Sequence, residues 1–290
     1  MLLGAVLLWA LNVTVSKYLL EHGWSPLAYG TIRYGAAIIL FWIFTYARER
    51  SFYIARADIK LVLLAALLIF ANQICFVYAL KIGQASTLAL LFGTTPVFVG
   101  LLGLALRHDR LQRSFWAGAA LTFVGVVLIG LAVGGASSDL RGILLGLATS
   151  FTWAAYTLAV APLLRTYSPY RVSSLVLAIG WIPLAIVSYP QVAAQHFSFG
   201  WTAWIGFGYA VIGPLFLTTI VWFTAVNIVG AARASLFNNL QPFFAVLFAV
   251  LLLSETLRPL EIAGGVLIFA GIALERVRRR PLEDAVVRSG

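Results

Sequence analysis

Trp9, Asn12 and Ser16 are spaced i, i+3 and i+7, so on a helix they share one face. Asn72, Gln73 and Phe76 form a second group, with Tyr78 close behind, and Thr149, Thr152, Trp153 and Tyr156 form a third at spacings of three and four. Thr218, Thr219 and Trp222 follow. Asn238, Asn239 and Gln241 then stand just ahead of Pro242, as Thr94 and Thr95 stand just ahead of Pro96. Each proline removes a backbone donor and frees a carbonyl one turn earlier. All of these residues interrupt apolar runs, where an idle polar group is expensive. The bland assignment is that Ser, Thr and Asn tie helices together, and for any single Thr that is the expectation. Amides combined with indole and phenol rings point instead to a cavity. Amides suit the head group of a zwitterion, and rings suit an apolar or aromatic side chain. Asn12, Asn238 and Gln241 are expected at the head group, with Trp9, Trp153, Tyr156 and Trp222 around the apolar part. Ser16, Asn72, Gln73, Phe76, Tyr78, Thr95 and Asn239 complete the candidate substrate-binding wall.

The elements that must position these residues are long and apolar. Of 290 residues, 62% are hydrophobic and 10% charged, with a mean hydropathy of +0.97. A soluble domain carries about 25% charged residues, so a water-soluble fold is excluded. Ten apolar runs of membrane-spanning length lie at 2–20, 27–46, 60–79, 86–106, 114–133, 142–161, 172–189, 202–223, 234–253 and 260–276. Trp24-Ser25-Pro26, Gly83, Gly134-Gly135, Tyr167-Ser168-Pro169, Tyr189-Pro190 and Arg258-Pro259 punctuate them. The first run lacks a basic leader and a cleavage site, which makes it a span and not a signal peptide. Its start at residue 2 leads us to expect a longer natural N-terminus. Cys75 is the single cysteine, so neither a disulfide framework nor a thiolate metal site is expected.

The formal net charge of +10 reflects topology, with no basic face for nucleic acid. Fifteen of the 20 Lys and Arg residues fall on one side of the spans. That side holds Arg48, Arg50, Arg56, Lys60, Arg107, Arg110, Arg113, Arg165, Arg171 and Arg233, and the five C-terminal arginines. The other side has Lys81, Arg141 and Arg258, while Lys17 and Arg33 lie within spans. The positive-inside rule then places both termini in the cytoplasm.

Pro96 and Pro242, Gly118 and Gly264, and Gly125 and Gly271 share one interval of 146 residues, as do Asp109 and Glu255. The chain reads as a duplication: a first five-helix repeat over 1–133, a second over 134–276, and a basic cytoplasmic tail over 277–290. Five spans per copy is odd, so the second copy enters the membrane inverted. The junction between spans two and three is basic, and its counterpart at 190–196 has no Lys or Arg. The expected fold is therefore all-α and integral to the membrane, with ten transmembrane helices as two inverted five-helix repeats, an arrangement typical of secondary transporters. The paired glycines, seven residues apart on one face, are read as internal helix packing in a monomer.

Leu253-Ser254-Glu255-Thr256-Leu257 followed by Gly264-Gly265-Val266-Leu267-Ile268-Phe269-Ala270-Gly271 resembles the last-helix signature of the drug/metabolite transporter superfamily, in its ten-helix EamA-type branch. Leu8-Trp9-Ala10, Ser25-Pro26 and Ile32-Arg33-Tyr34 are similar to that family's opening helices, and Trp153-Ala154-Ala155-Tyr156 to the start of a second copy. Asp109 stands at the acidic position of the first copy. The resemblance covers essentially the whole chain. It implies export of amino acids, aromatic ones among them, or transport of other metabolites, nucleotide sugars or drugs, across a bacterial inner membrane.

Every Asp and Glu lies in a junction, a helix end or the tail. No acid sits mid-membrane, so we expect a facilitator without a carboxylate proton relay. Lys17 is expected to snorkel to the surface. Arg33, about 10 Å past Pro26 at 1.5 Å per residue, needs a partner; helix-end carbonyls, Glu255 and Asp109 are the candidates, with a gating or structural role. His22, His108 and His196 lie on unrelated junctions, so neither a metal site nor a catalytic pair is expected, and no cofactor. The loops are too short for a receptor domain. The expected partners are the lipid bilayer and a small-molecule substrate.

Overall fold

The computed structural model describes residues 1–106, 113–132, 137–222 and 240–288. Asp109, Gly134, Gly135, Arg233, Asn238 and Asn239 lie outside the described residues. Among those described there is no strand. The helices are α1 (Leu2–Glu21), α2 (Pro26–Glu49), α3 (Ile59–Ile82), α4 (Ala85–Phe92), α5 (Thr95–Ala105), α6 (Arg113–Ala132), α7 (Ser137–Val160), α8 (Pro169–Ala193), α9 (Trp201–Ala210), α10 (Leu240–Leu253) and α11 (Pro259–Arg288). A π-helical stretch, Val211–Leu217, extends α9 into an apolar segment that reaches Trp222. Among the described residues seven segments are long and apolar enough to cross a membrane, and Phe115–Ile129, Leu240–Leu253 and Pro259–Gly271 are shorter apolar helices.

Local chemistry explains the boundaries. α2 and α8 both open with Ser-Pro, where proline's fixed φ suits the first helical turn and its missing N–H costs nothing. The span expected at 86–106 is interrupted at Gly93-Thr94, between α4 and α5. Pro96 has no N–H to offer the Phe92 carbonyl, and the Leu91 carbonyl accepts from the Thr94 N–H (2.9 Å) and from the hydroxyls of Thr94 (2.7 Å) and Ser150 (3.0 Å). Two boundaries differ from those expected. Pro190, expected in a junction, lies inside α8, because neighbouring groups in a bundle let a helix pass through proline. α11 continues to Arg288, through the stretch expected to be a separate tail.

Packing is close where glycines meet. α6 and α11 run antiparallel: a Cβ on Gly125 would lie 2.5 Å from the Gly264 carbonyl oxygen, one on Gly264 would lie 2.5 Å from that of Gly125, and one on Gly271 would strike the Gly118 carbonyl oxygen. α2 packs on α8, α3 on α7 and α8, α1 on α10, and α4 on α7 and α10. Along the α2–α8 seam two indoles donate in opposite directions, Trp181 Nε1 to the Thr31 carbonyl (2.8 Å) and Trp42 Nε1 to that of Ser174 (3.3 Å).

The glycine contact gives a measurable consequence. Alanine ordinarily favours a helix over glycine by about 1 kcal/mol, but Gly264→Ala meets backbone on the facing helix. It is expected to destabilise by about 1–3 kcal/mol, the usual cost of overpacking. Thermal unfolding in detergent would register this, with Gly4→Ala, where a Cβ meets nothing within 4 Å, as the neutral control.

Candidate functional site

The polar centre of the first half is Arg33, 2% exposed on α2. Its Nη1 donates to Tyr29 OH (3.2 Å), Asn12 Oδ1 (3.3 Å) and Ser16 Oγ (3.4 Å), and its Nη2 to Gln73 Oε1 (3.0 Å). Three helices thus converge on one guanidinium: α1 through Asn12 and Ser16, α2 through Tyr29, and α3 through Gln73. The rings of Tyr29, Tyr34 and Phe76 lie 4.9, 5.5 and 5.6 Å from its Cζ. Among the described residues the ion pairs are Lys17–Glu21 and Arg171–Glu49, so Arg33 meets only neutral groups. The expected pairing with Glu255 does not occur. Glu255 accepts from the backbone N–H groups of Ala85 and Ser86, each at 2.8 Å, and from the Ser86 hydroxyl. Its charge is spent on the N-terminus of α4, where amides are unpaired and the helix dipole favours an anion. Asp109, the other acid considered, is outside the described residues.

Other expected site residues divide between contact and scaffold. Trp9 stacks obliquely on Trp222, with ring centroids 5.3 Å apart, and donates to the Pro214 carbonyl at 3.0 Å. Trp153 and Tyr156 pair at 5.4 Å on α7, and Tyr156 packs against the cluster containing Tyr34. Phe76 faces Phe92 at 6.5 Å. Asn12, Thr95, Tyr156, Trp222 and Gln241 are half-buried and Trp153 is exposed. Asn72 serves as a tie between helices, donating to the Thr149 carbonyl (2.8 Å) and the Thr152 hydroxyl (3.1 Å). Tyr78 packs against the core that holds Tyr29 and Phe76 and accepts from Gln191 Nε2 at 2.9 Å. Asn238 and Asn239 are outside the described residues.

Lysine 17 does not snorkel. It is buried, donating to the carbonyls of Leu80 (2.9 Å) and Gly83 (2.7 Å) at the C-terminus of α3 and pairing with Glu21 at 3.1 Å. Lys81 returns the favour, donating to the Leu20 carbonyl at the end of α1. Glu261, also 2% exposed, accepts from the Thr87 hydroxyl at 2.9 Å and the Arg258 N–H at 2.9 Å. Trp24 is sandwiched nearby between Phe199 (4.7 Å) and Phe207 (5.0 Å). A cavity lined by Lys17, Gly83, Thr87, Arg258 and Glu261 lies at this end of the bundle. Tyr29 and Glu261 were not among the residues expected from sequence, although Tyr29 sits one turn before Arg33, a spacing that places both on one face.

The profile of the EamA-like transporter family matches residues 1–131 and again 140–275. The chain belongs to the EamA-like transporter family. A "Probable amino-acid metabolite efflux pump" of Salmonella typhimurium is 29% identical over 94% of this chain and 94% of its own length. A protein of the same description in Escherichia coli is 27% identical over 92% and 90%. An uncharacterised transporter of Archaeoglobus fulgidus is 27% identical over 95% and 96%. A solved crystal structure, 19% identical, covers 97% of this chain and 96% of its own with a TM-score of 0.67, which establishes a shared fold. This EamA chain is thus a multi-pass membrane transporter, and its family and relatives are transporters, not enzymes.

The separate engagements of Arg33 and Glu255 predict additivity. Glu255→Ala should cost about 3 kcal/mol through lost charge-assisted bonds. Combined with Arg33→Gln it should show a coupling below about 0.5 kcal/mol, as for residues that share no partner. A double-mutant cycle of thermal unfolding in detergent measures the coupling, and a stronger coupling would restore the Arg33–Glu255 pair.

Proposed function

We propose that this EamA transporter exports amino acids, aromatic ones included, or related small metabolites, by alternating access through ten spans arranged as two inverted five-helix repeats. The observation that carries the reading is the equivalence of the helix pairings. Number the spans by halves, with α4 and α5 together as the fourth. α1 on α10 then corresponds to α7 on α4, α3 on α7 to α9 on α1, and α6 and α11 correspond to each other. The carbonyls of Thr31 and Ser174, each accepting a tryptophan N–H, both come six residues after the serine of a Ser-Pro start. Two near-equivalent halves can rock against each other and expose a site to each side in turn.

The end where Trp24 is stacked is the outer end when the termini are placed in the cytoplasm by the distribution of Lys and Arg. The amino-acid substrate is supported by the names of the Salmonella and Escherichia relatives, and by amides and aromatic rings on α1, α3 and α7. A bacterial inner membrane is the proposed location. The glycine faces of α6 and α11 are consumed inside the molecule, which supports a monomer. The acids nearest the helices sit at the ends of spans, which supports a facilitator.

Proteoliposomes loaded with labelled amino acids test this directly. Efflux of phenylalanine or tryptophan above that of protein-free liposomes is expected, without stoichiometric proton movement. Trp9→Ala and Tyr156→Ala should each raise the half-saturating concentration by about tenfold, as loss of one aromatic contact of roughly 1–1.5 kcal/mol implies. No efflux of any amino acid would refute the substrate, and obligate proton flux would refute the facilitator.

A further inference from the structure

Arginine cannot shed its proton inside a protein, so Arg33 is a permanent cation in the interior of a membrane bundle. Removing an ion from water costs several kcal/mol even after relaxation. The surroundings recover only part of that. Cation–π contacts with Tyr29, Tyr34 and Phe76 are worth about 0.5–2 kcal/mol each. The four acceptors are neutral and lie at 3.0–3.4 Å, beyond the ~2.7–2.9 Å of charge-assisted bonds. Three of the four crowd onto Nη1. The Arg33 Nε and the Gln73 Nε2 are buried donors with no partner, and Gln73 is only 1% exposed. The cluster is therefore rich in donors and short of negative charge. Its most weakly held acceptors belong to α1, and one of them, Asn12, is half-buried and reaches the accessible surface.

We infer that Arg33, with Gln73 beside it and Asn12 at the entrance, is the subsite that reads the substrate's carboxylate. The inference rests on the amino-acid exporter reading and sharpens it: the recognised group is a planar carboxylate, which meets a guanidinium fork with two parallel bonds. On entry the carboxylate displaces Asn12 Oδ1 and Ser16 Oγ from Nη1. It replaces two long neutral bonds by short charged ones and neutralises the only charge in the cluster. Asn12 is then released from α2, whereas Ser16 keeps its 2.7 Å bond to the Tyr29 hydroxyl. An amine, amide or ester lacking the anionic group gains none of this.

The test separates binding from transport. The purified full chain in detergent is unfolded thermally with sodium phenylacetate, phenethylamine hydrochloride or sodium chloride at matched ionic strength. Phenylacetate alone is expected to raise the Tm, and Arg33→Gln is expected to remove that shift. An equal shift from phenethylamine or chloride, or a phenylacetate shift that persists in Arg33→Gln, overturns the inference. In proteoliposomes, wild-type efflux of phenylalanine should exceed that of phenylalaninamide by at least about tenfold, the weight of one charge-assisted hydrogen bond. Arg33→Gln should bring the two within about twofold. Should Arg33→Gln fail to fold, Arg33→Lys keeps the charge without the fork and should lower the preference several-fold, and an unchanged preference overturns the inference. A phenylacetate shift with no flux of any amino acid would sink the exporter reading and leave the carboxylate subsite standing. Equal flux of phenylalanine and its amide, without a phenylacetate shift, would do the reverse.

Discussion

A helix that ends near a bilayer leaves carbonyls or amides without partners, and little water is at hand to take them. The chain answers with side chains sent from other helices. Lys17 of α1 takes the last carbonyls of α3, Lys81 of α3 takes one of α1, and Glu255 takes the first amides of α4. Gln195 and Gln191 accept from the N–H groups of Ser25 and Leu27 where α2 begins, each at 2.8 Å. The helices' own caps, such as the His22 and Gly83 N–H groups, cover only part of these ends, and neighbours supply the rest. The charges available at that end are therefore already occupied, which is why Arg33, deeper in the bundle, meets only hydroxyls, amides and rings.

The same constraint is met differently at the opposite end of the α2–α8 pair. There Arg171 grips Glu49, and Tyr167 donates to Asp58 at 2.7 Å while accepting from the Ala55 N–H. The loop after α2 is held by ions, and the start of α2 at the other end is held by glutamines. On the proposed topology the ionic end is cytoplasmic, where cationic residues are retained, and the glutamine end belongs to a loop that must cross. Glutamine offers a neutral donor and acceptor of similar reach.

Much of the scaffold could be read from the chain. Length and hydropathy located the apolar helices, Ser-Pro marked the starts of α2 and α8, and the glycines seven residues apart proved to be the seam of α6 and α11. Trp9, Asn12 and Ser16 also share a neighbourhood, as their spacing required, although Trp9 turns toward Pro214 and the other two toward Arg33. What escaped was which helices converge. Arg33 was matched to an acid because opposite charges are the simplest partners, whereas its ligands are neutral groups from three helices, far apart in sequence. Lys17 looked free to reach water because the sequence does not reveal that α3 ends beside it. Pro190 looked like a boundary because the rule that proline stops a helix weakens where neighbouring helices supply the missing bonds.

The π-helical stretch Val211–Leu217 has a geometric effect on everything after it. In a regular helix each residue turns the chain by about 100°, and a wider turn accommodates residues that an α-helix would have carried onward. The segment beyond Leu217 is thereby rotated about its own axis relative to α9. Trp222 owes its place against Trp9 to that phase shift, and Trp9 in turn holds the Pro214 carbonyl within the widened turn. The indole of α1 is thus both a wall of the proposed site and a pin on the rotation of the helix bearing its partner. A change in the winding of this one turn would swing Trp222 around its helix axis without moving the helix itself.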